Sequence, residues 1–181
     1  MTIVFIPRDE DYENLVLNIK GVSSIVQIHH LEISEEVGID ILVQITDALP
    51  QLKTLKLHSL SLKKARHSET NERIVFPSTE SINQITQVYL EIVSSIEEIY
   101  SLMKKYPNMS YLKIRFCFNM DVNVFKRNIL EKIILDSNQH LSSLRCRAPP
   151  PATIDSMVHT VKKKKTDYTM NWPDGYIFLK W

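Results

Sequence analysis

The stretch LPQLKTLKL at residues 49–57 returns in altered form as YPNMSYLKI at residues 106–114. A matching triplet, LEI, stands upstream of each copy, at residues 31–33 and 90–92. Leu55 and Leu112 lie 57 positions apart, and Leu31 and Leu90 lie 59 apart. An internal repeat of this kind predicts a stack of similar supersecondary units, because one short unit cannot bury its apolar face alone.

The repeated unit is predicted to be a short β-strand, a turn and an amphipathic helix. Each strand core carries two apolar residues two positions apart, with a polar or charged residue between them on the other face. The five cores are HLEI at 30–33, TLKL at 54–57, YLEI at 89–92, YLKI at 111–114 and SLRC at 143–146. Their anchors (Leu31, Leu55, Leu90, Leu112 and Leu144) are 24, 35, 22 and 32 residues apart, so short units alternate with long ones. Residues 63–72 are predicted to be an exposed insertion in the first long unit.

Between the strands the apolar spacing changes to the helical period of about 3.6. The predicted helical stripes are Val37, Ile41, Ile45 and Ala48; Ile96, Ile99, Tyr100 and Met103; Phe125, Ile129 and Ile133; and Ile154, Met157, Val158 and Val161. Pro50 and Pro107 follow two of these stripes, where proline ends a helix and leads into the next strand.

The two ends of the chain are predicted to be special units of one domain spanning 1–181. Residues 1–24 contain the apolar triplet IVF at 3–5 and a helical pattern, and form a divergent first unit ahead of repeats in 25–165. In 166–181, two β-prone runs flank Pro173-Asp174-Gly175, which predicts an antiparallel hairpin. The first run keeps the short repeat spacing, and the second is expected to fold back and cover the open sheet edge.

The bulk composition excludes several classes of protein. With 22 basic and 21 acidic residues among 181, no global field favours nucleic acid or an anionic membrane. No apolar run approaches the ~20 residues that span a bilayer, and the opening segment is too short for a signal peptide. Two cysteines without a CxxC pair give no disulfide framework. We therefore expect an intracellular protein, cytoplasmic or nuclear, with no membrane partner.

At the segments 49–57, 106–114 and 141–146 (LSSLRC), the chain resembles the leucine-rich-repeat superfamily, most nearly its irregular F-box-associated and ribonuclease-inhibitor-like members. The similarity extends over residues 25–172. Only Cys117 matches the asparagine or cysteine that follows the strand in that family, and no F-box stands in this chain. The resemblance implies an α/β solenoid with a curved parallel sheet, outer helices and a C-terminal hairpin cap. It implies protein recognition without catalysis or cofactor, and the substrate-binding part of a ubiquitin-ligase adaptor as one such role.

The predicted binding surface is the concave sheet, the usual binding surface of such solenoids. Its central outward row is expected to be Glu32, Lys56, Glu91, Lys113 and Arg145, since neighbouring strands lie ~4.8 Å apart. These charges are expected first of all to form cross-strand pairs that stabilise the sheet. Tyrosine and arginine, favoured at protein-binding hot spots, gather toward the C-terminal end. The candidate residues are Tyr89, Tyr111, Lys113, Arg115, Arg145 and Arg147.

Two other functional hypotheses stay open. The alternation of strands and helices also suits a small α/β enzyme or nucleotide-binding domain, although GxGxxG, Walker and GxSxG motifs are missing. Strands buried on both faces would also be more continuously apolar. The run Lys162–Lys165 allows nucleic-acid binding or nuclear targeting, or is the solvated end of a helix.

Histidine and cysteine give no predicted site. His29 and His30 alternate in direction, so no metal site is expected. Cys117 and Cys146 are expected to pack in the core as small apolar side chains.

Overall fold

The computed structural model describes residues 2–5, 19, 21, 27–62, 84–117, 141–147, 169–171 and 176–180. Within these ranges the chain forms eight strands and two helices. The strands are β1 (Thr2–Phe5), β2 (His30–Gly38), β3 (Thr54–Ser61), β4 (Gln87–Val93), β5 (Tyr111–Cys117), β6 (Ser143–Arg147), β7 (Thr169–Asn171) and β8 (Tyr176–Lys180). The helices are α1 (Ile39–Asp47) and α2 (Ile96–Lys105).

All eight strands belong to one sheet in the order β1-β2-β3-β4-β5-β6-β8-β7. Strands β1 to β6 are parallel and lie side by side in chain order. The prediction of an α/β fold with a mostly parallel sheet is confirmed, including the strand at residues 3–5 of the divergent first unit.

The core lies on one face of this sheet. Two residues of each strand from β2 to β6 point into it and are at most 3% exposed: Leu31 and Ile33, Leu55 and Leu57, Val88 and Leu90, Leu112 and Ile114, Leu144 and Cys146. Leu42 and Ile45 of α1, and Ile99 and Leu102 of α2, join the same apolar cluster. Both helices therefore cover the same face. Burying each such side chain contributes about 1.5–3 kcal/mol.

The predicted helical stripes are partly right. Ile45 and Ile99 are fully buried, whereas Ile41 and Met103 are only partly buried against the core. Val37 belongs to β2 rather than to a helix. Pro50 and Pro107 follow α1 and α2, as predicted. In α2, Glu97 and Glu98 lie in the first turn and Lys104 and Lys105 in the last, which complements the helix dipole.

A backbone hydrogen-bond ladder fixes the register at the start of the strands. The carbonyls of His29, Lys53, Thr86 and Ser110 each accept two amide hydrogen bonds, from the corresponding residue of the next strand and the residue after it. In this register Leu55 lies beside Val88, and Val88 beside Leu112. The predicted register of β4 was therefore wrong by two residues, because its anchor is Val88 and not Leu90.

The corrected register makes the repeat more regular. Successive anchors (Leu31, Leu55, Val88, Leu112 and Leu144) are 24, 33, 24 and 32 residues apart. Each is preceded three positions earlier by an apolar residue that is at most 2% exposed: Ile28, Leu52, Ile85, Met109 and Leu141. A shift of two preserves the inward and outward faces, so alternation alone could not reveal the error.

Hydroxyl side chains reinforce the same ladder. Ser110 Oγ donates to the carbonyl of Thr86 at 3.2 Å, and Ser142 Oγ donates to that of Ser110 at 3.2 Å. Thr86 Oγ1 points at the carbonyl of Lys53 at a longer 3.5 Å. Serine and threonine thus make side-chain links between successive strands.

The C-terminal hairpin is confirmed, but its placement differs from the prediction. The second run, β8, pairs antiparallel with β6, and the first run, β7, lies at the outer edge. The physical reason is the burial of Ile177 and Leu179, which sit beside Cys146 and Leu144 and extend the core. Strand β7 exposes Thr169 and Asn171, as suits an edge strand.

Several predicted features lie outside the described residues. These are the insertion at 63–72, the helical stripes within 125–133 and 154–161, and the run Lys162–Lys165. Of the helix expected in the first unit, Ile19 is described and is buried.

Candidate binding face of the sheet

The outward face is the side of the sheet opposite the core. Its central row, set by the register, consists of Glu32, Lys56, Tyr89, Lys113, Arg145 and Phe178. Tyr89 therefore takes the position that the sequence had assigned to Glu91. Glu91 instead follows on the same face, two residues further along β4, where it lies between His58 and Arg115.

In the N-terminal half of the outward face, formed by β2 to β4, each acidic side chain of an ion pair lies beside a cationic side chain. Lys56 pairs with Glu32 across β2 and β3. Glu91 Oε2 lies 3.0 Å from His58 Nδ1, and Glu91 Oε1 accepts a hydrogen bond from Arg115. The hydrogen bond with His58 lowers the pKa of Glu91, and Arg115 lowers it further against the opposing effect of burial. The expected cross-strand charge pairs are thus present on β2 to β5.

The C-terminal half of the outward face begins with two tyrosines, Tyr89 on β4 and Tyr111 on β5. The rings of Tyr89 and Tyr111 are 5.5 Å apart between centroids and tilted by 53°, within the range for a favourable aromatic pair. Lys113 Nζ lies 5.8 Å from the centroid of Tyr89. Burial raises the pKa of Tyr111 and Tyr89 adds to the rise, while Arg145 opposes it partly through a hydrogen bond.

The C-terminal half of the outward face also contains arginine side chains that lie over aromatic rings. The Arg145 guanidinium lies 4.8 Å from the Tyr176 centroid. Arg115 and Arg147 lie 5.1 and 5.3 Å from the centroid of Phe116, which is 36% exposed at the end of β5. Cation–π contacts of this length hold a guanidinium in place without neutralising its charge.

The sheet brings the six predicted residues together on β4, β5 and β6. They are Tyr89, Tyr111, Lys113, Arg115, Arg145 and Arg147. Sequence reasoning missed Tyr176, Phe178 and Phe116. Alternation within β8 could have placed Tyr176 and Phe178 opposite the buried Ile177 and Leu179. The partner strand of β8 could not be found this way, because it depends on β8, rather than β7, taking the place beside β6.

A separate groove of about 690 Å³ lies where β3 and β4 end. Its lining includes Glu36, His58 and Glu98. Glu98 is buried and accepts a hydrogen bond from the amide of Ser94 at 3.1 Å. Burial raises the pKa of Glu98, against the effect of amide hydrogen bonds from Ser94 and Ser95. Its contacts are those of a residue that caps the start of α2.

Histidine and cysteine hold structural positions among the described residues. His29 Nδ1 lies 3.0 Å from the Gln51 carbonyl. Cys146 is buried, as predicted, whereas Cys117 is only partly buried against the core. In the part of the chain that the structure describes, no three His, Cys, Asp or Glu side chains form a group that could hold a metal ion. Neither described helix is long and apolar enough to cross a membrane.

The site and the fold together define an α/β protein with one aromatic, cationic sheet face. No protein-family model, curated protein or solved structure matches the chain.

Proposed function

We propose that this chain is a protein-recognition scaffold of the leucine-rich-repeat kind, which binds its partner on the outward face of the sheet. The observation that carries the proposal is the gathering of tyrosine and arginine on β4, β5 and β6, including the Tyr89–Tyr111 pair. Large rigid aromatics and arginines supply most of the binding energy in protein interfaces.

The arrangement of the sheet supports the same proposal. Six parallel strands lie in chain order, and both described helices pack on the core side. Neither described helix packs on the opposite face. A doubly wound enzyme would place helices on both faces and a ligand crevice where the strand order reverses, and β1 to β6 have no such reversal.

The role as a ubiquitin-ligase adaptor rests on family resemblance alone and stays a prediction.

The test combines partner identification with a matched pair of variants. A partner is captured by the immobilised chain, identified by mass spectrometry and purified, and its Kd is measured by calorimetry. Y111A/R145A removes two neighbouring side chains of the outward face. Q44A/K104A removes two exposed side chains of α1 and α2 and serves as the control.

We expect Y111A/R145A to raise Kd at least tenfold, since hot-spot residues each contribute more than about 1 kcal/mol. Q44A/K104A should change Kd less than twofold. Both variants should keep the wild-type circular dichroism spectrum. The proposal fails if the helix variant weakens binding and the face variant does not, or if no purified partner binds saturably.

A further inference from the structure

We propose that the C-terminal half of the outward face binds an acidic segment of the partner protein. Its donors are Lys113, Arg145 and Arg147. This inference rests on the proposed function and specifies the chemistry of the partner.

The first argument is the placement of like charges. Lys113 and Arg145 are direct neighbours on β5 and β6, and Arg115 and Arg147 follow two residues later on the same strands. Four cations thus occupy a grid of about 4.8 by 7 Å. Like charges placed directly across neighbouring strands destabilise a sheet, so an anion bound beside Lys113, Arg145 and Arg147 would relieve their mutual repulsion.

The second argument is the lack of internal neutralisation. Glu91 pairs with Arg115. Among the described residues, no carboxylate forms an ion pair with Lys113, Arg145 or Arg147. Lys180 adds an exposed cation on β8 beside Ser143. The chain as a whole carries a formal net charge of only +1, so the excess on this half is local.

The third argument is preorganisation. Lys113, Arg145 and Arg147 each lie over an aromatic ring, of Tyr89, Tyr176 and Phe116 respectively. A side chain held in this way loses less entropy when it binds a carboxylate. Arg145 and Arg147 are two residues apart, about 7 Å along the strand. Alternate residues of an extended peptide have the same spacing, so two acidic side chains can reach both guanidinium groups.

An acidic protein segment fits this face better than nucleic acid. Binding a single strand uses aromatic rings as open platforms for bases, whereas three rings here already hold cations. Glu32 and Glu91 also pair with Lys56 and Arg115 on the same face, so these two cations are not free to bind a continuous phosphate backbone. The cations that have no carboxylate partner among the described residues lie in one half of the face, which suits a short anionic segment.

The probe is a labelled ten-residue peptide of alternating glutamate and serine, with a glutamine–serine peptide as its neutral analogue. Binding is followed by fluorescence anisotropy at 50 and 200 mM salt. The variant K113Q/R145Q/R147Q is compared with K53Q/K104Q/K105Q, which removes the same charge from three lysines outside the outward face. K113Q/R147Q keeps the partly buried Arg145 and serves if the triple variant does not fold.

We expect saturable binding of the glutamate peptide alone, weaker at the higher salt concentration. K113Q/R145Q/R147Q should weaken it at least tenfold, K113Q/R147Q at least threefold, and K53Q/K104Q/K105Q less than twofold. Equal losses in the two triple variants, or no saturable binding, would overturn the inference. Tighter binding of a twelve-nucleotide RNA than of the peptide at equal salt would overturn it in favour of nucleic acid.

The same samples separate this inference from the proposed function. A partner that requires Tyr111 and Arg145, but binds equally well after its acidic segments are neutralised, contradicts the acidic chemistry and leaves the binding face intact. If peptide binding depends on Lys113, Arg145 and Arg147 but partner binding does not depend on the outward face, the proposed function is contradicted instead.

Discussion

Replacing Leu112 by alanine tests whether the inward face of the sheet is the core that holds the strands together. Leu112 is fully buried in β5, between Val88 on one side and Leu144 on the other. These neighbours sit on adjacent strands of a parallel sheet, so they are held apart by the backbone ladder. We therefore expect the site to collapse only partly when the side chain is shortened.

The expected loss has two parts. Leucine to alanine removes the equivalent of three methylene groups, about 2.4 kcal/mol of transfer free energy. A residual cavity of roughly 40 Å³ adds about 1 kcal/mol. The free energy of unfolding should thus fall by about 3–4 kcal/mol. For a chain of this length, that corresponds to a fall in melting temperature of about 6–16 °C.

Urea denaturation followed by circular dichroism measures this loss, with Leu62→Ala as the matched control. Leu62 follows β3 and is 38% exposed, so its truncation should cost under about 1 kcal/mol. A loss below about 1 kcal/mol for Leu112→Ala, or one equal to that of the control, would refute the placement of the core. A double-mutant cycle extends the test to the register. Leu112 should couple with its direct neighbour Val88 by at least ~0.5 kcal/mol, and more strongly than with Leu90.

The remaining predictions concern hydrogen bonds and titration. Tyr106 is fully buried and its hydroxyl lies 3.2 Å from Thr46 Oγ1, so Tyr106→Phe should cost about 0.5–1.5 kcal/mol in urea denaturation, and no loss would show that this bond contributes nothing. Ser110→Ala removes one hydroxyl of the ladder and should cost less, about 0.5 kcal/mol, because the accepting carbonyl keeps two amide donors. The pKa of Glu91 is lowered, so the ionised carboxylate stabilises the fold at neutral pH, and this effect is lost as pH falls through that lowered pKa. Glu91→Gln should therefore flatten the acid side of a plot of unfolding free energy against pH. An unchanged plot would contradict this prediction. The pKa of Glu98 is raised, so the ionised carboxylate opposes folding at neutral pH. The free energy of unfolding should therefore rise as pH falls below that raised pKa and the carboxylate is protonated. Glu98→Gln should remove this rise, and a rise of the same size in the variant would contradict the prediction.

The sequence predicts much of the fold because strand alternation is a strong local signal. Pairs such as Leu55 and Leu57, or Leu112 and Ile114, are two apart and fully buried, as period two requires. The turn at residues 173–175 likewise predicts two neighbouring strands. These features depend on residues close together in the chain.

The errors concern positions that depend on distant partners. The triplet LEI at 90–92 copies the one at 31–33, but Leu31 belongs with Val88 in the sheet. The spacing of Ile85 and Val88 matches that of Leu52 and Leu55 and was the better guide. The place of β8 beside β6 depends on burying Ile177 and Leu179, a tertiary preference that no local pattern encodes.

The outward face shows that a nearly neutral chain can carry a locally charged region. Near-neutrality of the whole chain excludes a global field, yet the register separates the charges of one face into two regions. Where β2 to β4 carry Glu32 and Glu91, each carboxylate has a cationic neighbour. Where β5, β6 and β8 meet, their central positions are Lys113, Arg145 and Phe178, with no acid among them. If sheet stability alone set these residues, both regions would alternate in sign. The difference between them is the reason for proposing recognition at the C-terminal half.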